Sequence, residues 1–375
     1  MELPSLPPKK VAHILLALSS FGFGIAAYLF STGNTGAAQV LLLSSLVLTG
    51  LGFYLHPLLK GYLYTWMILT AAALALLYPQ PFVSYRGYPL SQLIIPLLQF
   101  IMFGMGSSMT VKDFAGVIKM PKGVFIGLGC QLTIMPLSGL LIAQWSGLPT
   151  EIAAGIILVG CSPSGVASNV ISFLARANLA LSITITAVST LLAPLTTPLL
   201  MSWLAGSYIE INVWDMVWSI LKLVLFPIAG GLLFNQLLHD RAQWLQRVMP
   251  TASMLVIALV IVLITASGRD NLLDIGGWLV IVVLFHNLLG YSLGFWAARL
   301  FGLDERDSRT IALEVGLQNG GMAGGLAKEM GKLASLGLAP AVFSVLQNIT
   351  GSILASFWHK NPPPAKRNRP ARFHY

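Results

Sequence analysis

The feature that most limits what this chain can become is its succession of apolar runs, each near the ~20 residues that a helix needs to cross a bilayer, with only short polar links between them. In hydrocarbon every backbone N–H and C=O has to find its partner inside the protein, so only helices and closed barrels span a membrane. Barrel strands would show short alternating patterns, and these runs are continuous. The composition agrees, because a chain that is 56% hydrophobic and 9% charged has too few polar side chains to cover a soluble globule of this size. An all-α polytopic membrane protein is therefore expected.

The expected spans are residues 11–30, 37–55, 62–78, 90–109, 123–145, 152–174, 179–204, 213–238, 251–266, 273–300, 310–327 and 336–358. Run 11–30 has no small-residue cleavage site and is followed at once by further spans, so it reads as an anchor helix and not as a removed signal. With the N-terminus inside, seventeen Lys and Arg fall on the inner side. Arg86, Arg269, Lys328 and Lys332 fall on the outer side, and Lys222 lies within a span. By the positive-inside rule this asymmetry puts both termini in the cytoplasm, in a multi-pass protein of the cell (inner) membrane. The same placement accounts for the net charge of +9 without a nucleic-acid partner.

Two spans carry breaks. In 311–325, I-A-L-E-V-G-L-Q-N-G-G-M-A-G-G, Glu314 stands in an otherwise apolar segment that Gly316 and Gly320 loosen. An acid at membrane depth costs at least ~2.5–3.5 kcal/mol, so Glu314 is expected to face a cation. In 161–169, C-S-P-S-G-V-A-S-N, Pro163 removes a backbone donor and Gly165 eases the break. Two interrupted helices in corresponding places point to a transporter site near the bilayer midplane. If the first two spans are set aside, the breaks fall in the fourth span of each group of five. An odd number of spans per group makes the repeat inverted.

Other polar residues within spans have blander readings. The Ser/Thr ladder at 182, 184, 186, 189 and 190 is expected to line something, with Ser182 and Thr186 on one side of a helix. His286 and Asn287 read as a packing and hydrogen-bonding pair, and Lys222 as a snorkelling side chain more readily than a substrate counter-ion. Cys130 and Cys161 have neither disulfide nor metal-ligand spacing. No aspartate-rich motif, metal cluster or nucleophile–base pair supports an enzyme.

The residues around both breaks, G-C-S-P-S-G-V-A-S-N-V-I-S-F-L-A from Gly160 and E-V-G-L-Q-N from Glu314, resemble the bile acid:sodium symporter family, especially its bacterial members. So do F-G-M-G from Phe103, I-M-P from Ile134, A-L-S-I-T-I-T-A-V-S-T-L-L-A-P from Ala180, H-N-L-L-G-Y from His286 and N-I-T-G-S from Asn348. Together these cover residues 60–358.

The resemblance implies a ten-helix core of two inverted five-helix repeats with two crossing broken helices. An extra N-terminal hairpin (1–59) precedes this transporter unit (60–358), and a basic cytoplasmic tail (359–375) follows it. Panel helices would lie at about 61–109 and 213–267, and core helices at about 122–204 and 272–358. The family also implies two sodium sites and no other cofactor. Carried over, the first takes Ser168, Asn169, Ser182, Thr186 and Glu314. The second takes Gln131, Glu314 and Gln318, with the carbonyls of Val315 and Leu317. Asn319, Ser164, Val166 and Asn348 would approach the substrate.

Val166 stands where many members have Thr, Ser164 where bacterial relatives often have Gly, and Gln347 where one has His. These departures leave the sodium ligands intact and the substrate open among steroid-like anions, pantothenate-type acids and keto acids. The expectation is a monomeric symporter that carries sodium ions and an organic anion across the lipid bilayer by alternating access. The alternative is a proton-coupled carrier or cation/proton antiporter using Glu314. An intramembrane enzyme or a channel stands further off.

Overall fold

The computed structural model describes residues 7–110, 116–238 and 243–363. Lys112, Arg241 and the tail from residue 364 on lie outside the described residues. The first elements are α1 (Pro8–Ser31) and α2 (Thr35–Leu55), joined by a turn at Gly33, which takes φ +81°, and by the Asn34 side chain, which accepts from the Ala37 N–H. Small residues let the two helices approach closely: Ala12, Ser19, Gly22 and Ala26 on α1 are buried, as are Ala38, Ser45, Thr49 and Gly52 on α2.

Next come α3 (Leu63–Leu77), α4 (Gln80–Val83) and a two-rung antiparallel ladder, β1 (Ser84–Tyr85) with β2 (Tyr88–Pro89), turned by Arg86 and Gly87 at positive φ. Then follow α5 (Ile94–Ser108), α6 (Gly116–Lys119), α7 (Pro121–Ser146), α8 (Thr150–Cys161), α9 (Ala167–Leu174) and α10 (Leu179–Ala205). The rest is α11 (Val213–Ile220), a π turn (Leu221–Leu225), α12 (Phe226–Leu238), α13 (Gln243–Ser267), α14 (Arg269–Ile275), α15 (Gly277–Leu300), α16 (Glu305–Gly316), α17 (Gly320–Glu329) and α18 (Leu338–Lys360).

Among the described residues eight helices are long and apolar enough to cross a membrane, or nine when Thr251–Ser267 and Arg269–Ile275, bent by 72°, count as one. The other expected spans fall on the 15-residue α3 and on the broken pairs α8/α9 and α16/α17. The protein is an all-α polytopic membrane protein.

Helices α12 and α13 both pack against α5, with α3 against α13. Helix α7 packs against α8, α10, α15 and α16, and α15 against α16 and α18. The N-terminal hairpin docks on α3, where the Trp66 indole donates to the Leu46 carbonyl at 2.7 Å and meets the Phe53 ring at a tilt, with centroids 5.3 Å apart. Only 17% and 28% of the most apolar windows of α1 and α2 are buried, against 56% in α10 and α18, so the hairpin is peripheral.

One expected span divides, and another carries an irregular turn. Run 273–300 is not one helix, because Gly276 at φ +62° ends α14 and α15 starts afresh at Gly277. Run 213–238 is interrupted by the π turn, which lies just upstream of Pro227. Pro227 has no N–H to give to the preceding turn, which widens instead. Gly231 serves close packing: a Cβ there would lie 2.6 Å from the Ser107 nitrogen of α5, whereas one on Gly230 meets the Phe103 ring at an ordinary 3.8 Å. Gly231→Val should therefore push α5 from α12, cost about 1–3 kcal/mol as overpacking and lower the melting temperature of the purified protein. Gly230→Ala should melt with the wild type.

Candidate functional site: a carboxylate cluster where two broken helices cross

Helix α8 ends at Cys161 because Pro163 cannot donate to the preceding turn, and α9 restarts at Ala167. Helix α16 ends at Gly316, and α17 restarts at Gly320 with Asn319 as its cap, accepting from the Met322 N–H at 3.0 Å. The two breaks lie antiparallel and pair as a single rung of β structure between Ser164 and Gln318. Gly165 N–H donates to Leu317 O and Asn319 N–H to Pro163 O, both at 2.8 Å.

The glycines here act by absence of bulk and not through left-handed backbone, since none of Gly165, Gly316 and Gly320 has positive φ. A Cβ on Gly165 would sit 2.7 Å from the Gln318 carbonyl. The expected loosening is thus close packing.

Neighbouring side chains take up the backbone groups that the breaks release. Gln347 holds Gln318 at both ends: its Oε1 accepts from Gln318 N–H at 2.7 Å and its Nε2 donates to Gln318 O at 3.0 Å. Asn287 Nδ2 donates to Gly316 O at 2.7 Å, while its Oδ1 accepts from Thr350 Oγ1 at 2.6 Å. Thr197 Oγ1 donates to Cys161 O at 2.8 Å, and Gln131 Nε2 to Ser162 O at 3.0 Å. His286 Nε2 lies 3.1 Å from Met135 O.

Beside the crossing, Glu314 is fully buried. Its Oε1 accepts from Ser182 Oγ at 2.5 Å and its Oε2 from Thr186 Oγ1 at 2.8 Å. Asn169 Oδ1 lies 2.9 Å from Ser182 Oγ and 3.4 Å from Thr186 Oγ1, and Ser168 Oγ lies 3.2 Å from Thr186 Oγ1. All five residues of the expected first set therefore meet, from α9, α10 and α16. The cluster is rich in oxygen and poor in protons. Ser182 reaches two acceptors with one hydroxyl hydrogen, and so does Thr186. Hard oxygens from a carboxylate, an amide and three hydroxyls form a donor set suited to a hard cation such as sodium.

The second set meets only in part. Gln131 Nε2 donates to Gln318 Oε1 at 2.9 Å, and Gln318 Nε2 donates to Gln131 Oε1 at 3.2 Å and to Val315 O at 2.5 Å. Leu317 O is occupied by the Gly165 N–H, and both Glu314 carboxylate oxygens lie on the α10 hydroxyls. The Glu314 main-chain carbonyl takes the Ser164 hydroxyl at 2.9 Å, so Ser164 braces the acid's backbone.

Of the expected substrate contacts, Asn348 turns its amide onto Ser344 O of its own helix and Val166 is half-buried at the start of α9. Asn319 Nδ2 is buried and has no hydrogen-bond partner among the described residues. The Ser/Thr ladder divides: Ser182 and Thr186 face the acid, whereas Thr184, Ser189 and Thr190 donate to carbonyls of α10 itself. Sequence reasoning gave no role at the crossing to Gln347, Asn287 or Thr197. The one available signal was that each is a polar residue within a span.

Two interrupted helices crossing at a buried oxygen cluster, within a multi-pass helical protein, define a membrane carrier. The particular family follows from comparison with known proteins, and the chain belongs to the Sodium Bile acid symporter family, whose profile matches residues 95–275. It is 39% identical over 294 residues to the uncharacterized sodium-dependent transporter YocS of Bacillus subtilis (strain 168), covering 78% of this chain and 89% of that one. It is 36% identical over 299 residues to the probable sodium/metabolite cotransporter BASS1, chloroplastic, of Oryza sativa subsp. japonica, covering 80% and 73%. The Arabidopsis thaliana protein of the same name is 35% identical over 266 residues, covering 71% and 66%. These relatives are transporters or cotransporters and not enzymes.

Asn287→Ala should leave the Gly316 carbonyl unsatisfied in a buried setting and cost about 1–3 kcal/mol, read as a lower melting temperature. Thr350→Val, which removes only the hydroxyl that Asn287 accepts from, should cost less.

Proposed function

We propose that the chain is a secondary active symporter that couples inward sodium flow to uptake of an organic anion by alternating access. Membership in a sodium-dependent transporter family supports the sodium half. The observation that carries the reading is the fully buried Glu314 carboxylate with Ser182, Thr186, Asn169 and Ser168 around it. A sodium ion there would neutralise the acid and tie α9, α10 and α16 together. Gln131, Gln318 and the Val315 carbonyl are the proposed start of a second sodium site. Sodium crossing a ~100 mV potential contributes about 2.3 kcal/mol per ion before its gradient is counted, and two ions with one monoanion make transport electrogenic.

The anionic group of the substrate is assigned to the crossing. There Asn319 Nδ2, without a hydrogen-bond partner among the described residues, stands at the start of α17, whose first N–H groups and positive dipole end favour negative charge. In this reading α3, α5, α11 to α13 form the panel, and α7 to α10 with α15 to α18 form the core. Contacts that rocking must break include those that α18 makes with α3 and with Tyr62 just before it, and the bond from Ser219 Oγ of α11 to Glu329 Oε2 of α17 at 3.3 Å. Tyr62 Oη and Ser356 Oγ are 2.9 Å apart, and Thr65 Oγ1 lies 3.3 Å from Asn348 O and 3.2 Å from Ser352 Oγ. The working unit is taken as a monomer in the cell membrane with both termini inside.

Reconstituted into liposomes, the protein should accumulate an organic acid only with an inward sodium gradient, and faster with the interior negative. Uptake of every tested acid that ignores sodium would overturn the proposal, and uptake driven by a proton gradient would favour Glu314 as a proton carrier. Sodium should raise the melting temperature of the purified wild type. Glu314→Ala should abolish that rise, and Ser182→Ala should weaken sodium binding at least about tenfold, as the loss of ~1.4 kcal/mol requires. A Glu314→Ala protein still stabilised by sodium would remove the carboxylate from the ion site.

A further inference from the structure

Lys222 is the one basic residue in the interior of a predicted span, and the sodium site makes no use of it. It is exposed, in the π turn between α11 and α12. It belongs to a strip of exposed apolar residues at helical spacing, Trp214, Trp218, Phe226 and Leu233, which marks the face of this span turned to the bilayer. Its neighbour Leu223 is buried on a different face, against the α17 backbone at Gly325. Lys222 is therefore not a counter-ion at the crossing.

A cation on a lipid face needs an anion or a route to water. Among the described residues Lys222 takes part in none of the three ion pairs and none of the three cation–π contacts, and the Glu329 carboxylate of α17 takes the Ser219 hydroxyl one turn earlier, at 3.3 Å. The carboxylate nearest to it along the strip, Asp215, is seven residues or about 10 Å nearer the helix start.

The route out is short. Exposed Trp214 and Trp218 mark the membrane–water interface at the N-terminal end of α11. Lys222 lies four residues below Trp218, about 6 Å of rise. Helical side chains lean toward their N-terminus, so its stem carries the ammonium back toward that interface.

Beside it is a cleft of about 490 Å³ between α5 and the π turn, lined by Gln99, Phe100, Phe103, Lys222, Phe226 and Pro227. Gln99 Nε2 donates to the Lys222 carbonyl at 3.1 Å, the oxygen whose partner in a π pattern would be the nitrogen of Pro227, which has no hydrogen. That bond joins the cleft's two walls. Three phenylalanines offer an apolar wall for an acyl chain, and Lys222 lines the same cleft.

We propose that this cleft binds one anionic phospholipid, with its phosphate on Lys222 and an acyl chain along Phe100, Phe103 and Phe226. Charge complementarity selects the occupant, since an ammonium at the edge of an apolar groove matches an acidic headgroup above hydrocarbon. The sodium cluster plays no part, so this site and the proposed transport function stand or fall separately.

The test uses the full chain in phosphatidylcholine nanodiscs with and without phosphatidylglycerol, read by melting temperature and by native mass spectrometry of retained lipid. The wild type should retain one phosphatidylglycerol and melt higher with it. Lys222→Gln should fold, match the wild type in phosphatidylcholine alone and bind phosphatidylglycerol about fivefold more weakly, the ratio expected for one lysine near an anionic surface. Lys222→Arg should keep the preference, and sodium-dependent stabilisation should be the same in all three proteins. The proposal is overturned if Lys222→Gln keeps the full preference or fails to fold in phosphatidylcholine. It is also overturned if the wild type prefers neither lipid, or if the cleft is covered by a second copy of the chain, seen as a dimer that Lys222→Gln dissociates.

Discussion

Burying one carboxylate is the constraint on which the rest of this structure depends. Glu314 is fully enclosed, and an ionised acid in that setting is tolerated only where hydrogen bonds and a positive charge meet it. The hydroxyls of Ser182 and Thr186 supply the hydrogen bonds, and the surplus of acceptors over hydroxyl hydrogens calls for the charge. Those hydroxyls lie on α10, Asn169 and Ser168 on α9, and the acid on α16. Any ion held here reports on the relative positions of three helices. This is the property a coupling site needs.

The crossing itself is stiff. Breaking two helices in a membrane frees backbone groups that water cannot satisfy, and this chain satisfies them with each other and with side chains. The Gly165 and Asn319 N–H groups pair across the crossing. Gln347 holds both ends of the Gln318 peptide, Asn287 holds Gly316, and Thr197 holds Cys161. Such an arrangement leaves few of the released backbone groups without a partner. The interfaces able to yield are those with sparse polar links, such as the hydroxyl contacts between α3 and α18.

Much of this was legible in the residues. Apolar runs gave the class, Pro163 and the sequence around Gly316 gave the breaks, and Glu314 stood out because an acid does not belong in such a segment. The Ser182/Thr186 spacing needed only helix geometry. The resemblance to the symporter family then gathered residues far apart in sequence, and the first set does come together. The residues did not show how the Val315 and Leu317 carbonyls, both named for the second sodium site, are engaged. Which carbonyl of an unwound segment is free depends on what pairs with it across the crossing, and Gly165 takes the one on Leu317. The same limit hid Asn287 and Gln347, polar residues within spans whose partners are backbone atoms of another helix.

By itself, then, the sequence determined that this chain lives in a bilayer, that two of its spans are interrupted, and that one of them carries an acid in need of a partner. Hydropathy and helix breaking are local properties, set by residues a few positions apart. Only the tertiary structure decided that the two breaks face each other and that Ser182 and Thr186 take both oxygens of Glu314. It also left Lys222 exposed and away from the crossing. Those outcomes depend on the rotation and depth of whole helices, which the packing of every neighbouring helix decides together.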